Sequence, residues 1–193
     1  MNKRLFAAVA AAGLMAANAA PAAAALKTAV FAGGCFWSAE HDIEHTPGVK
    51  DVVVGYAGGT AKNPTYQNHE GFLESIKVTY DPAVISYPQL VTAFFHHIDP
   101  TDPNGQICDQ GPSYRTAVFP ADATEKAQAE QVKAQVAKEL GANVRTMILG
   151  PSPFWMEPDT NHQHYAEKFP ANYMAYRVGC GRDRALRVVW GKG

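Results

Sequence analysis

The stretch Lys27-Thr28-Ala29-Val30-Phe31-Ala32-Gly33-Gly34-Cys35-Phe36-Trp37 decides the fold. Its first six residues read as a buried strand, stopped by two glycines. From Phe36 to position 44 the pattern changes to that of a short helix, closed by Thr46-Pro47-Gly48. A second β-branched run follows at 49–56 and ends at Gly58-Gly59. A strand, a helix and a second strand in one short span set the expectation for the whole chain.

The later segments continue the alternation. Residues 74–80 place Ile76, Val78 and Tyr80 on one face and Ser75, Lys77 and Thr79 on the other, the period of a half-exposed strand. Ser86-Tyr87-Pro88-Gln89 has capping-box spacing, and Leu90, Val91, Phe94, Phe95 and Ile98 form one helical stripe. Residues 113–119 are a strand candidate, Asp122 and Glu125 open a long helix that stops at Gly141, and 144–149 is the last clear strand. A short helix is expected around 162–169, and the tail from about 172 is expected to be irregular and to wrap over the surface. Interleaved strands and helices imply an α/β (α+β) fold: a single-domain two-layer sandwich with a mixed β-sheet and flanking helices.

The chain has 193 residues, a net charge of −1, 47% hydrophobic and 18% charged residues, enough for one domain of ordinary size. Its near-neutral balance argues against non-specific nucleic-acid binding, which needs clustered Lys and Arg. The first residues are set apart: Lys3 and Arg4, an apolar run of mostly alanine at 5–17, then small residues through 25. This is the layout of a secretory signal peptide, expected to span 1–24 with cleavage within 19–25. The apolar run is shorter than the ~20 residues of a spanning helix; a retained anchor is the bland alternative. Removing the leader leaves 15 basic and 18 acidic residues, net −3. The expected product is an exported, periplasmic domain at 25–193 with no later membrane span.

Cys35 stands where strand meets helix. Unpaired N–H groups at a helix N-terminus stabilise an anion, so its thiol pKa is expected below the free value of ~8.5. A buried structural cysteine in a tight turn is the competing reading; a lipid-modified cysteine fits poorly so far past the apolar run. Three cysteines allow at most one internal disulfide and leave one thiol over. Cys35, Cys108 and Cys180, spaced 73 and 72 apart, match no zinc-ligand pattern. Cys108 and Cys180 both lie in loop-like, Gly-flanked contexts, and either could meet Cys35.

Gly33-Gly34-Cys35-Phe36-Trp37, Gly55-Tyr56-Ala57-Gly58-Gly59, Pro64-Thr65-Tyr66 and Val78-Thr79-Tyr80-Asp81-Pro82 closely resemble the A-type peptide methionine sulfoxide reductases. Asp109-x-Gly111-x-x-Tyr114-Arg115 and His162-Gln163-His164-Tyr165 continue the resemblance, which spans about 28–170 in order. It implies a mixed-sheet sandwich, reduction of the S epimer of methionine sulfoxide, sulfenic-acid chemistry and a thioredoxin-like reductant. It places the nucleophile on Cys35, the methyl-binding rings on Phe36 and Trp37, the acid on Glu74, hydroxyl donors on Tyr66 and Tyr114, and a supporting carboxylate on Asp109. The chain departs from the family in three places. Phe72 stands where the family usually has a histidine, Tyr173-Met174 where a resolving cysteine is common, and Cys108 where many members have asparagine.

Sulfoxide reduction needs a soft nucleophile at sulfur and a proton for the leaving oxygen. Glu74 can supply that proton near pH 7 only if burial raises its pKa well above ~4.3. Tyr66 and Tyr114 would donate hydrogen bonds to the oxygen as its charge grows. The resulting Cys35 sulfenic acid would condense with a nearby thiol, Cys180 being the first choice as resolver and Cys108 the alternative. No cofactor and no metal are called for, and a monomer is expected. His162 and His164, two apart, do not share a helical face, and Arg182, Arg184 and Arg187 read as surface charges. Two rivals remain. One is a cysteine hydrolase or acyltransferase using Cys35 with His69 or His164; the other is an exported binding domain with a Cys108–Cys180 staple and a buried Cys35.

Overall fold

A computed structural model describes residues 25–191, so the expected leader and most of its cleavage window lie outside the described residues. The sheet is built from β1 (Lys27–Ala32), β2 (Val49–Ala57), β3 (Leu73–Tyr80), β6 (Ala117–Phe119), β7 (Met147–Ile148) and β8 (Trp155–Met156), in the order β7-β6-β1-β3-β2-β8. A separate two-residue pair, β4 (Gly105–Gln106) with β5 (Asp109–Gln110), makes a small hairpin. All pairings in the large sheet are antiparallel except β6 with β7, so it is mixed.

Alternation in the strands sorts side chains to two faces. Ala29, Phe31, Val52, Val54, Tyr56, Ile76, Val78, Tyr80 and Val118 enter the main core. Ala32, Ala57, Ala117 and Phe119 form a thin second cluster. The main core is closed by α1 (Phe36–Glu44), α2 (Tyr87–His96) and α3 (Ala123–Leu140). This is the two-layer sandwich expected from the sequence. The caps are where the sequence placed them. Gln89 Oε1 accepts from the Ser86 N–H at 2.9 Å, Asp122 Oδ1 accepts from Glu125 N–H at 2.8 Å, and Gly141 ends α3 at φ 61°.

Three expectations need correction. The strand expected at 113–119 starts late, because Pro112–Tyr114 forms a single 3₁₀ turn behind Gly111 at φ 131°. The strand expected at 144–149 is reduced to β7, its flanks serving loop contacts such as Arg145 N–H to Pro100 O. The tail is not irregular: after α4 (Tyr165–Lys168) it forms α5 (Pro170–Cys180) and α6 (Arg182–Val189), hinged at Gly181 with φ 65°. Tyr173, Tyr176, Arg177 and Cys180 recur at helical spacing and turn one stripe of α5 inward. Arg182, read as a surface charge, is fully buried. Its Nε lies 3.1 Å from Asp42 Oδ2 and its Nη2 donates to His97 O at 2.9 Å. These contacts pin the tail to α1 and to the end of α2.

Candidate active site

Cys35 is the N-cap of α1, and its carbonyl accepts from the N–H groups of Ser38 and Ala39. Gly34 makes the approach possible. It sits at φ 82°, and a Cβ there would overlap the side chain of Gln106. That glutamine is fully buried and holds the Asp99 backbone through both of its amide atoms. Strand, turn and hairpin are thereby locked together under the sulfur.

The first helical N–H does not serve the thiol. Phe36 N–H donates to Glu74 Oε2 at 2.9 Å, which brings the carboxyl group to the mouth of the helix. Glu74 is 1% exposed, and burial pushes its pKa up to about 8, against the pull of that hydrogen bond. At neutral pH it is mostly a carboxylic acid. Cys35 is 6% exposed, and its thiol is pushed up to about 12, by burial first and then by the carboxyl groups of Glu74 and Asp109. The lowered pKa expected from its helix position is therefore not found. Desolvation outweighs the helix terminus, whose Phe36 N–H serves Glu74 and whose Trp37 N–H offsets only part of the rise.

Tyr176, on α5, roofs the sulfur. Its hydroxyl donates to Asp109 Oδ2 at 2.6 Å and lies within hydrogen-bond reach of the Cys35 thiol. Sequence patterning does not single it out, because a tail expected to be irregular assigns no face to its side chains. The signal was present, since Tyr176 and Cys180 stand four apart and share a helix face. Cys108 and Cys180 are bonded to each other, with Cα atoms 5.3 Å apart, and Cys35 is free. Neither resolver candidate is bonded to Cys35, so the expected swing of Cys180 onto Cys35 is not the bond present.

The aromatic wall is more extensive than Phe36 and Trp37. The Trp37 ring stacks on Tyr165 at 3.8 Å and on His162 at 5.7 Å, and its Nε1 donates to His162 Nδ1 at 3.2 Å. Tyr66, 37% exposed, stacks on His162 at 4.2 Å. Phe36 is fully buried and lies 5.8 Å from the ring of Tyr56, whose hydroxyl donates to Glu157 Oε2 at 2.6 Å. That buried Tyr56–Glu157 pair was also unforeseen. Tyr114 stands close enough to Glu74 and Cys35 for both to raise its pKa, although burial is the larger cause. Phe72, where a histidine was expected from the resemblance, is buried edge-on to Tyr56, and His69 stacks on the same ring at 4.9 Å.

No histidine is among the polar neighbours that act on the Cys35 thiol. His69 faces the Thr65 carbonyl, and His164 faces Glu40. A Cys–His hydrolase has no base here.

One free cysteine beside a buried carboxyl group, with a disulfide-bonded pair linked to it through Asp109 and Tyr176, is the constellation of a thiol-dependent oxidoreductase. The family model for peptide methionine sulfoxide reductase matches residues 27–193. The peptide methionine sulfoxide reductase MsrA 2 of Caulobacter vibrioides is 48% identical over 179 residues, covering 89% of this chain and 90% of that one. Methionine sulfoxide reductase A of Corynebacterium diphtheriae has the same fold, with a TM-score of 0.70 and 30% identity over 75% of this chain and 76% of that one. Saccharomyces cerevisiae Mxr1 in complex with Trx2 matches with a TM-score of 0.52 and 26% identity, over 73% and 85% of the two chains. The chain belongs to the A-type peptide methionine sulfoxide reductases, and its activity is the thiol-dependent reduction of methionine S-sulfoxide to methionine.

Proposed function

We propose that Cys35 attacks the sulfoxide and that the Cys108–Cys180 disulfide is where the oxidising equivalents come to rest. The observation that carries this is the pairing: Cys35 is a free thiol beside Glu74, while the two other cysteines are already joined next to Asp109.

Substrate sits with its methyl group against Phe36 and Trp37, and the sulfoxide oxygen faces Glu74, Tyr66 and Tyr114. Glu74 gives its proton to that oxygen, which makes the substrate sulfur strongly electrophilic. The positive charge that develops there offsets the cost of ionising a buried thiol, so Cys35 ionises when substrate is bound and not before. Its proton leaves through the Tyr176 hydroxyl to Asp109. The Cys35 sulfur takes the oxygen as a sulfenic acid, and methionine departs with two more electrons than the sulfoxide carried.

The Cys180 thiol then attacks the sulfenic sulfur, releasing water and forming Cys35–Cys180. Cys108 attacks Cys180 Sγ in turn, and Cys35 leaves as a thiol. Cys180 keeps the first role because it sits on the same helical face as Tyr176, which touches Cys35. The end point is the covalent state described above. A thioredoxin-like dithiol reduces it, reached through Cys108, which is exposed; the complex of yeast Mxr1 with Trx2 supports that class of partner. The protein works as a monomer, and the leader at 1–24 directs it to the periplasm, where oxidised exported proteins are its substrates.

The test is stoichiometric. Fully reduced protein is incubated with methionine S-sulfoxide and no reductant, and thiols are counted and mapped by mass spectrometry. Two thiols are lost per chain, the disulfide maps to Cys108–Cys180, and Cys35→Ser abolishes the loss. Cys108→Ser accumulates Cys35–Cys180. Retention of all three thiols, or a final disulfide that contains Cys35 in the unsubstituted protein, overturns the proposal.

A further inference from the structure

The C-terminal half of α1 carries a second cluster that sulfoxide chemistry does not use. His41, Glu44 and His45 stand at i, i+3 and i+4, so all three project from one side of the helix. His41 Nδ1 lies 3.4 Å and His45 Nδ1 3.7 Å from the same oxygen, Glu44 Oε1, and one ligand atom from each residue lies within 4.8 Å of the others. Four ligands at ~2.0–2.1 Å from a tetrahedral zinc ion stand about 3.3 Å apart. His45 Nδ1 donates to His41 O at 3.0 Å, so ligation by all three residues requires His45 to turn out of that hydrogen bond and the ligand atoms to draw together around the ion.

Two further observations point to a ligand. His41 Nδ1 is shut off from water and has no hydrogen-bond partner among the described residues, although the side chain as a whole is 35% exposed; its approach to Glu44 falls outside hydrogen-bond geometry. A buried ring nitrogen left this way is costly unless something fills it. The cluster also faces a cleft of ≈ 240 Å³ between α1 and the start of α5, whose far wall includes Glu167 and Tyr173. Two carboxylates and no lysine or arginine line this cleft. Their charge favours a cation, and Glu167 lies across the cleft on α4, outside the group whose ligand atoms lie within 4.8 Å of one another. Two imidazoles and a carboxylate suit a borderline transition metal of the zinc class over magnesium or calcium, which prefer all-oxygen sets.

We infer that His41, Glu44 and His45 form a binding site for a divalent transition cation of the zinc class, separate from the catalytic cysteine. The site begins six residues beyond Cys35, roughly 9 Å along the helix. It lies on the element that presents Cys35 and against the helix that carries Tyr176 and Cys180.

The experiment titrates Zn²⁺ alone into oxidised Cys35→Ser protein, which has no free thiol to compete, with calorimetric readout. One Zn²⁺ per chain is expected. His45→Ala, a change at a ring 72% exposed that does not threaten the fold, should weaken binding about tenfold or more, as should His41→Gln. Co²⁺ in place of Zn²⁺ should give the intense visible bands of a tetrahedral site, lost in the His41→Gln/His45→Ala double variant. Zn²⁺ binding unchanged in that double variant, or no binding below millimolar Zn²⁺, overturns the assignment. So does binding that instead follows His96→Ala, which would place the ion at the exposed His96–Glu139 pair.

Discussion

The resting thiol of Cys35 should be slow, although it is the nucleophile. Its pKa is pushed from 9.0 up to about 12, so at pH 7.5 its thiolate fraction is about a thousandfold below that of an ordinary cysteine. A more basic thiolate is intrinsically more nucleophilic, and a Brønsted slope of 0.4–0.5 returns roughly 15- to 30-fold over three pKa units. The net expectation is alkylation roughly 30- to 60-fold slower than a reference thiol of ordinary pKa, before any steric screening by Tyr176. The assay uses oxidised protein, with Cys108 and Cys180 bonded, under pseudo-first-order iodoacetamide at pH 7.5, and mass spectrometry follows the single adduct. Tyr176→Ala should accelerate the reaction, because burial, the largest cause of the raised pKa, outweighs the lowering hydrogen bond that the Tyr176 hydroxyl supplies, and that variant admits water to the sulfur. Modification of Cys35 as fast as the reference thiol would refute substrate-triggered ionisation and restore a standing thiolate at the helix terminus.

Three further outcomes follow from the same geometry. Loss of the acid in Glu74→Gln should lower kcat/KM by about 10²- to 10⁴-fold, and in the unsubstituted enzyme kcat/KM should fall as pH rises through about 8, where Glu74 ionises; a pH–rate profile checks both. Glu74 (about 8) and Glu40 (about 7) both ionise later in the folded chain than at their ordinary 4.5. The native state thus holds more protons, and their contribution to stability is full below about 4.5 and is lost as pH rises through 7 and 8. Urea midpoints of oxidised protein should fall between pH 5 and 8.5, less steeply in Glu74→Gln. Arg182→Ala should cost about 3 kcal/mol by denaturant unfolding, the low end for a broken buried pair because Arg177 remains 2.8 Å from Asp42; Arg184→Ala and Arg187→Ala, both exposed, should each change stability by less than about 0.5 kcal/mol.

The parts of this protein that local chemistry determines could be read from the chain. The period-two strand at β3, the Ser86–Gln89 cap and the Gly141 stop each depend on residues within a few positions, and each is present. Cys35 was legible locally, from the strand-to-helix turn that carries it, whereas Glu74, Tyr66 and Tyr114 entered only through the resemblance to the A-type reductases. What the sequence did not reveal depends on contacts between distant segments. The thiol pKa is set by burial under distant segments and by the carboxyl groups of Glu74 and Asp109, which together outweigh the Tyr176 hydroxyl and the Trp37 N–H. The tail is the clearest case. A stretch rich in arginine looked like surface, yet Arg182 is buried because Asp42, 140 residues earlier, supplies its partner. That pair has a functional consequence. The helix that roofs Cys35 also carries Cys180, and the one after it is tied through Arg182 to the helix that presents Cys35. Any movement of α5 away from Cys35 would therefore strain the Arg177–Asp42 and Arg182–Asp42 ion pairs and the Tyr176–Asp109 hydrogen bond together. The Cys108–Cys180 bond is the one covalent tether of this segment, and reduction would leave the tail held by these polar contacts and its packing.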